Sequence, residues 1–90
     1  MQEKNIFDKK RIILHALGAT VKELRSNKSQ FILGCENDIS TSIFSTIERG
    51  IKDPQLTTIF KLSEAFSMSP VEFMRRICDK LPNDFEIIDK

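Results

Sequence analysis

The stretch SQFILGCENDISTSIFSTIERG, residues 29–50, predicts two short helices joined by a tight turn. Ser29 and Ser40 can each cap a helix, because a serine hydroxyl accepts hydrogen bonds from the first free amides. The first helix is expected to end at about Glu36 and the second at Arg49, where the next residue is a glycine. Only about three residues separate the two helices, so they must cross steeply.

The apolar residues around this turn predict its interior. Ile39 is expected to be buried at the corner, where Leu33, Phe44 and Ile47 would meet it. The outer face of the second helix is then left with hydroxyls: Thr41, Ser42, Ser45 and Thr46. Such a unit can place its second helix in a DNA major groove while the amino end of the first meets phosphates.

The remainder of the chain predicts three more helices. One covers residues 8–26 with Asp8 as its cap, one covers residues 56–66, and one runs from a Ser69 cap to about Leu81. In the last of these, a proline at the first helical position and a glutamate two residues later give a capping box. No segment resembles a strand, so we predict an all-α, compact five-helix domain over residues 1–81, followed by a short acidic tail over residues 82–90.

Composition excludes several classes of protein. The 90 residues are 40% hydrophobic and 30% charged, which is ordinary for one folded domain. No apolar run is long enough for a membrane span, and the start does not resemble a secretory signal. Cys35 and Cys78 are single cysteines, expected to be reduced and buried, and with only His15 to join them no metal site is expected. No acid–base pair or activated nucleophile can be assembled, so we expect no enzyme. We also expect no cofactor and no small-molecule ligand. Since neither a membrane span nor a secretory signal is found, we expect a cytoplasmic location with reduced thiols.

Charge is unevenly distributed along the chain. The net charge is +1, with +4 over residues 1–28, −2 over residues 29–54 and −1 over residues 55–90. A strongly basic chain would indicate a nucleic-acid partner, and this chain is not strongly basic. The run Lys9–Arg11 is either a phosphate clamp or a solvated helix face.

Residues 29–73, SQFILGCENDISTSIFSTIERGIKDPQLTTIFKLSEAFSMSPVEF, resemble the helix-turn-helix domain of the phage-repressor and Cro-like (XRE) family. The SQ opening, the IS corner, the IERG close and the DPQL start of the next helix fall at the family's spacing. Leu17-Gly18 and Leu24-Arg25 match its first helix, so the resemblance covers about residues 17–77. It implies a lambda-repressor-like fold and a sequence-specific, DNA-binding transcriptional regulator.

The resemblance also implies roles for individual residues. Gln30 would contact phosphate and brace the recognition helix, residues 40–49, while backbone amides near Gln55 would bind phosphate. Arg25 would form a structural salt bridge with Glu48. The candidate DNA-binding residues are Lys28, Ser29, Gln30, Ser40, Thr41, Ser42, Ser45, Thr46, Arg49, Lys52 and Gln55.

Four features depart from the family pattern. The turn between Arg25 and Ser29 is about two residues shorter than usual. Gly34 replaces a typical alanine, and Asp38 stands where a turn glycine is usual. The reading face carries no Arg, Lys, Gln or Asn, whereas such bidentate readers discriminate between bases by roughly 1–3 kcal/mol each. Ile43, usually a polar position, could instead pack on thymine methyl groups.

Two questions of partnership stay open in the sequence. The last helix has one apolar stripe of Val71, Met74, Cys78 and Leu81, and Phe73 and Ile77 lie beside it. Such an excess indicates either core filling or a subunit interface, and we predict a homodimer through Phe73 and Ile77 on a palindromic operator.

The second question concerns the class of partner. Phe31 and Ile32 either fill the gap left by the shortened turn or form a partner surface. The acidic balance of residues 29–54 and these apolar residues favour an alternative function, a protein-interaction module such as a bridging factor or an antitoxin-like partner.

Overall fold

Residues 2–88, the part of the chain whose backbone the structure describes, contain five α-helices. The computed structural model describes the backbone of residues 2–88 and the side chains of residues 8–30, 32–34 and 36–88. Within residues 2–88 no strand occurs, which confirms the all-α prediction. The helices are α1 (Gln2–Arg25), α2 (Gln30–Asn37), α3 (Thr41–Glu48), α4 (Leu56–Ala65) and α5 (Pro70–Cys78). The side chains of Phe31 and Cys35, and tail residues 89–90, lie outside the described part.

Helix α1 begins earlier than predicted. It starts at Gln2, so Asp8 lies within the helix and is not its cap. The reason is that residues 2–7 contain no glycine or proline, and nothing in them interrupts a helix. The helix ends as expected, because Ser26 adopts a left-handed backbone with φ of 55°.

Serine caps begin three of the helices. The hydroxyls of Ser29, Ser40 and Ser69 each accept a hydrogen bond from the amide three residues later, at 3.1, 3.2 and 3.1 Å. These bonds satisfy donors that have no partner within the helix. The predicted starts of α2, α3 and α5 are therefore confirmed.

Helix α5 ends three residues before the predicted Leu81. The Lys80 amide bonds to the carbonyl of Ile77, and the Leu81 amide to that of Cys78. Bonds to the third preceding residue tighten the chain, which is a common way to satisfy the last carbonyls of a helix. Glu72 does not complete the predicted capping box and instead lies 3.5 Å from the guanidinium of Arg75.

One hydrophobic core joins the helices. Its largest fully buried apolar side chains come from four helices: Val21, Phe44, Ile47, Leu62 and Phe73. Helix α1 packs against α3 and α5, α2 packs against α3 and α4, and α4 packs against α5. Helix α3 is therefore held by α1 on one side and α2 on the other.

The apolar faces of α5 correct the prediction of a dimer contact. Phe73 is fully buried and Ile77 nearly so, both within the core of their own chain. They are not available as the predicted subunit contact. Val71 is 73% exposed instead, and Cys78, predicted to be buried, is also exposed. Both stripes are apolar, so the packing of α5 against α1 and α4 decides which one is buried.

None of the helices along residues 2–88 has both the length and the apolarity needed to cross a bilayer.

Candidate nucleic-acid interface

The corner between α2 and α3 depends on Gly34. The Ile39 amide donates a hydrogen bond to the Gly34 carbonyl at 2.9 Å, and the Asp38 amide donates to the same oxygen. A Cβ at Gly34 would overlap the Ile39 carbonyl oxygen, so no side chain fits there. Asp38 takes the left-handed backbone of the turn, with φ of 56°, and Ile39 is buried as predicted. These contacts fix the angle at which α3 leaves α2.

A second glycine sets the distance between α1 and α3. A Cβ at Gly18 would lie 2.5 Å from the carbonyl oxygen of Ile47 and 2.8 Å from that of Glu48. The backbone of α3 therefore rests directly on α1. Sequence reasoning used Gly18 only as a point of resemblance and missed this role. The available signal was a glycine inside a helix. Glycine there lowers helix stability by about 1 kcal/mol relative to alanine, so its presence indicates a packing role.

Arg25 and Glu48 form the ion pair that the resemblance implies. The guanidinium donates two hydrogen bonds to the carboxylate, Nε to Oε2 at 2.6 Å and Nη2 to Oε1 at 2.8 Å. Arg25 also donates to the carbonyl of Lys28, at 2.8 Å. The hydrogen bond to Glu48 raises the pKa of Arg25 above its ordinary value despite the opposing effect of burial. This bidentate pair connects the end of α1 to the end of α3.

Gln30 joins this network from the start of α2. Its Nε2 atom donates to Oε1 of Glu48 at 3.1 Å. The side chain thus braces α3 from within the domain, and one of its donor hydrogens is engaged there. Its second amide hydrogen is the donor left for a phosphate.

The outward face of α3 differs in exposure along its length. Thr41 and Ser42 are exposed, whereas Ser45 and Thr46 are half-buried. The Thr46 hydroxyl lies 2.9 Å from the carbonyl of Ser42, so its proton is engaged within its own helix. The hydroxyls of Ser40 and Ser42 lie 3.3 Å apart and can share a hydrogen bond. Of the four hydroxyls on this face, Thr41 and Ser45 are therefore the two without a competing bond to another described residue.

Ile43 lies beside this face but packs inward. Its side chain is half-buried and contacts the hydrophobic core. It is therefore only partly available for the predicted contact with thymine methyl groups.

Three basic residues flank α3, and one of them is paired. Lys28 lies 2.8 Å from the carboxylate of Glu36, which is an exposed pair of small energetic weight. Arg49 and Lys52, just after α3, are exposed and make no ion pair within the described residues. The cations most ready to meet phosphates are thus Arg49 and Lys52.

The amino ends of α2 and α4 present backbone amides. Ser29 caps α2 through its hydroxyl, whereas Gln55 at the start of α4 makes no side-chain capping bond. Uncapped amides and the helix dipole favour anions at such an end.

Among the described side chains, no three His, Cys, Asp or Glu residues come together as a metal-binding group.

Comparison of the chain with protein-family models, curated proteins and solved structures finds no match.

Proposed function

We propose that this protein is a sequence-specific, double-stranded-DNA-binding transcriptional regulator with a lambda-repressor-like helix-turn-helix fold. The observation that carries the proposal is the way in which the domain holds α3 and exposes its outer face. Its inner face is held by Gly18 and by the Arg25–Glu48 pair, and its outer face presents exposed Thr41 and Ser42. A short, rigidly held helix with small polar side chains outward suits insertion into a major groove.

Phosphate contacts fix the register of the protein on the duplex. Gln30 and the amides at the start of α4 would meet phosphates, because helix amino ends bind anions. Arg49 and Lys52 would add charge-assisted contacts from the loop after α3.

Base reading rests on hydroxyl groups. Thr41, Ser42 and Ser45 would read base edges, with Thr46 in a lesser role because its proton is already bonded. Hydroxyls can bond to several bases, so we expect modest discrimination at each position. Binding as a homodimer to two half-sites about one helical turn apart would multiply that discrimination. Occupancy would then block or recruit polymerase in the cytoplasm.

Selection of bound duplexes from a random pool tests this proposal. We expect an enriched palindrome, and we expect its affinity to fall with salt along a log–log slope on the order of −3 to −5, since each neutralised phosphate contributes about −0.9. A variant with both Thr41 and Ser45 changed to alanine is the matched control, because it should fold normally yet lose the enrichment. A slope near zero on duplex DNA, with no enriched sequence, contradicts the proposal.

A protein-interaction module of the same fold is the second candidate. Ile32 on α2 is 51% exposed, and the net charge over residues 29–54 is −2. An apolar side chain in an acidic region favours a protein partner over DNA. Binding of a random duplex at low salt separates the two functions, because a bridging factor or antitoxin-like partner with a weak DNA face would not bind it.

A further inference from the structure

A groove lies on the side of the domain between α1 and the loop that follows α3. Its volume is about 340 Å³, within the range of small-molecule sites. Its lining combines apolar surface from Leu14 and Ile51 with basic groups, and none of the acidic side chains that the structure describes lines it. The other lining residues are Lys10, Arg11, His15, Arg49 and Gly50.

The walls of this groove are fixed by the fold. The amides of Ile51 and Lys52 both donate to the carbonyl of Thr46, at 3.0 and 3.2 Å, which holds the loop in place. Gly50 has φ of 73°, and a Cβ there would lie 2.7 Å from Nδ1 of His15, so the imidazole rests against the loop backbone. The groove therefore exists before any ligand enters, which lowers the entropic cost of binding.

The charges of the groove favour an anion. Lys10 is balanced by Asp53, whose carboxylate lies 3.4 Å from its Nζ atom. Arg11 and Arg49 also line the groove, and neither makes an ion pair with the side chains that the structure describes. Two arginines that line one groove give it positive charge, and a bound anion can accept charge-assisted hydrogen bonds from them.

We propose that this groove binds a small organic anion, namely a carboxylate, sulfonate or phosphate ester carried on an aromatic or branched apolar body. Arg11 and Arg49 hold the anionic group, and the apolar body covers Leu14 and Ile51. The apolar lining is the reason for an organic ligand instead of bare phosphate, since Ile51 is 58% exposed and gains only from contact with apolar atoms.

The test uses the full chain without DNA and the fluorescent probe 8-anilinonaphthalene-1-sulfonate. We expect saturable binding, with NMR amide shifts centred on Leu14, Gly50 and Ile51. Arg49→Gln and Arg11→Gln should each weaken the probe about tenfold, since each removes one charged partner of the anion. The uncharged analogue N-phenyl-1-naphthylamine should bind far more weakly than the sulfonate.

Arg76→Gln is the matched control. Arg76 is an exposed arginine on α5 that pairs with Glu72 and does not line the groove, so its removal should change probe affinity less than about twofold. Equal affinity of wild type and Arg49→Gln, equal binding of the neutral analogue, or amide shifts centred elsewhere would each overturn the inference. The titration contains no DNA, so its failure and the failure of the proposed function are distinguishable.

Discussion

The two faces of α3 differ in what their residues contact. The inner face is held by backbone contact over Gly18 and by the bidentate Arg25–Glu48 pair. The outer face instead carries small hydroxyl side chains. Thr41 and Ser42 are exposed, and the hydroxyl of Thr46 bonds within its own helix. The contacts that stabilise the fold and the face that we propose reads DNA therefore lie on opposite sides of one helix about 10 Å in diameter. Substitutions on the inner face should affect folding, and those on the outer face should affect binding.

The largest effect is expected from Gly34→Ala. The new methyl group would overlap the Ile39 carbonyl oxygen, so the corner must open and the stability loss should be at least about 3 kcal/mol. Urea denaturation followed by circular dichroism measures it. Lys61→Ala, an exposed substitution within α4, is the control and should change stability by less than about 0.5 kcal/mol. A Gly34→Ala protein as stable as the control would show that the close crossing is not needed.

The ion pair behind α3 should give the next largest effect. Glu48→Gln leaves Arg25 without its charged partner in a site where the two side chains are only 16% and 6% exposed, which should cost about 2–4 kcal/mol. Lys28→Gln breaks the exposed pair with Glu36 and should cost less than about 1 kcal/mol. Thermal unfolding of both variants measures the two losses of stability. Equal losses would contradict the claim that burial makes the Arg25–Glu48 pair contribute more stability than the exposed Lys28–Glu36 pair.

Substitutions on the outer face should leave stability nearly unchanged. Thr41→Ala should weaken binding to the selected duplex about tenfold or relax its sequence preference, with a stability change below about 0.5 kcal/mol. Fluorescence anisotropy with the selected and a scrambled duplex gives the affinity and the sequence preference.

Thr46→Ala should also weaken binding or relax the sequence preference without unfolding the domain. The effect should be smaller than for Thr41→Ala, because the Thr46 hydroxyl already bonds within its own helix. If Thr46→Ala lost more duplex affinity than Thr41→Ala, Thr46 would be the more important of the two base contacts. If Thr46→Ala changed neither binding nor specificity, Thr46 would not belong to the interface.

The smallest effect is expected at the turn itself. Asp38 has a left-handed backbone with φ of 56°, and glycine adopts this conformation without the steric cost. Asp38→Gly should therefore stabilise the domain by about 0.5 kcal/mol, and it should raise duplex affinity by removing a negative charge near α3. Asp84→Gly is the matched control, because Asp84 has φ of 61° but lies after α5. If both variants raised duplex affinity equally, the charge at the corner would not matter.

Local chemistry made much of the fold predictable. The caps at Ser29, Ser40 and Ser69 act within four residues, so their positions could be read from the sequence alone. The Arg25–Glu48 pair spans 23 residues and was reached only through a family resemblance. The faces of α5 were not predictable, because Phe73 and Val71 are both apolar and only packing against the other helices decides which is buried.

By itself, the sequence determined that there are five helices, where most of them begin and end, and which small polar residues line one side of α3. These properties follow from hydrogen bonds and periodicity within a few residues. Only the tertiary structure decided that Gly18 and Gly34 are points of backbone contact, that Phe73 and Ile77 belong to the core, and that Arg11 and Arg49 share one groove. Each of these depends on which distant segments meet, and that choice is made by the packing of the whole chain.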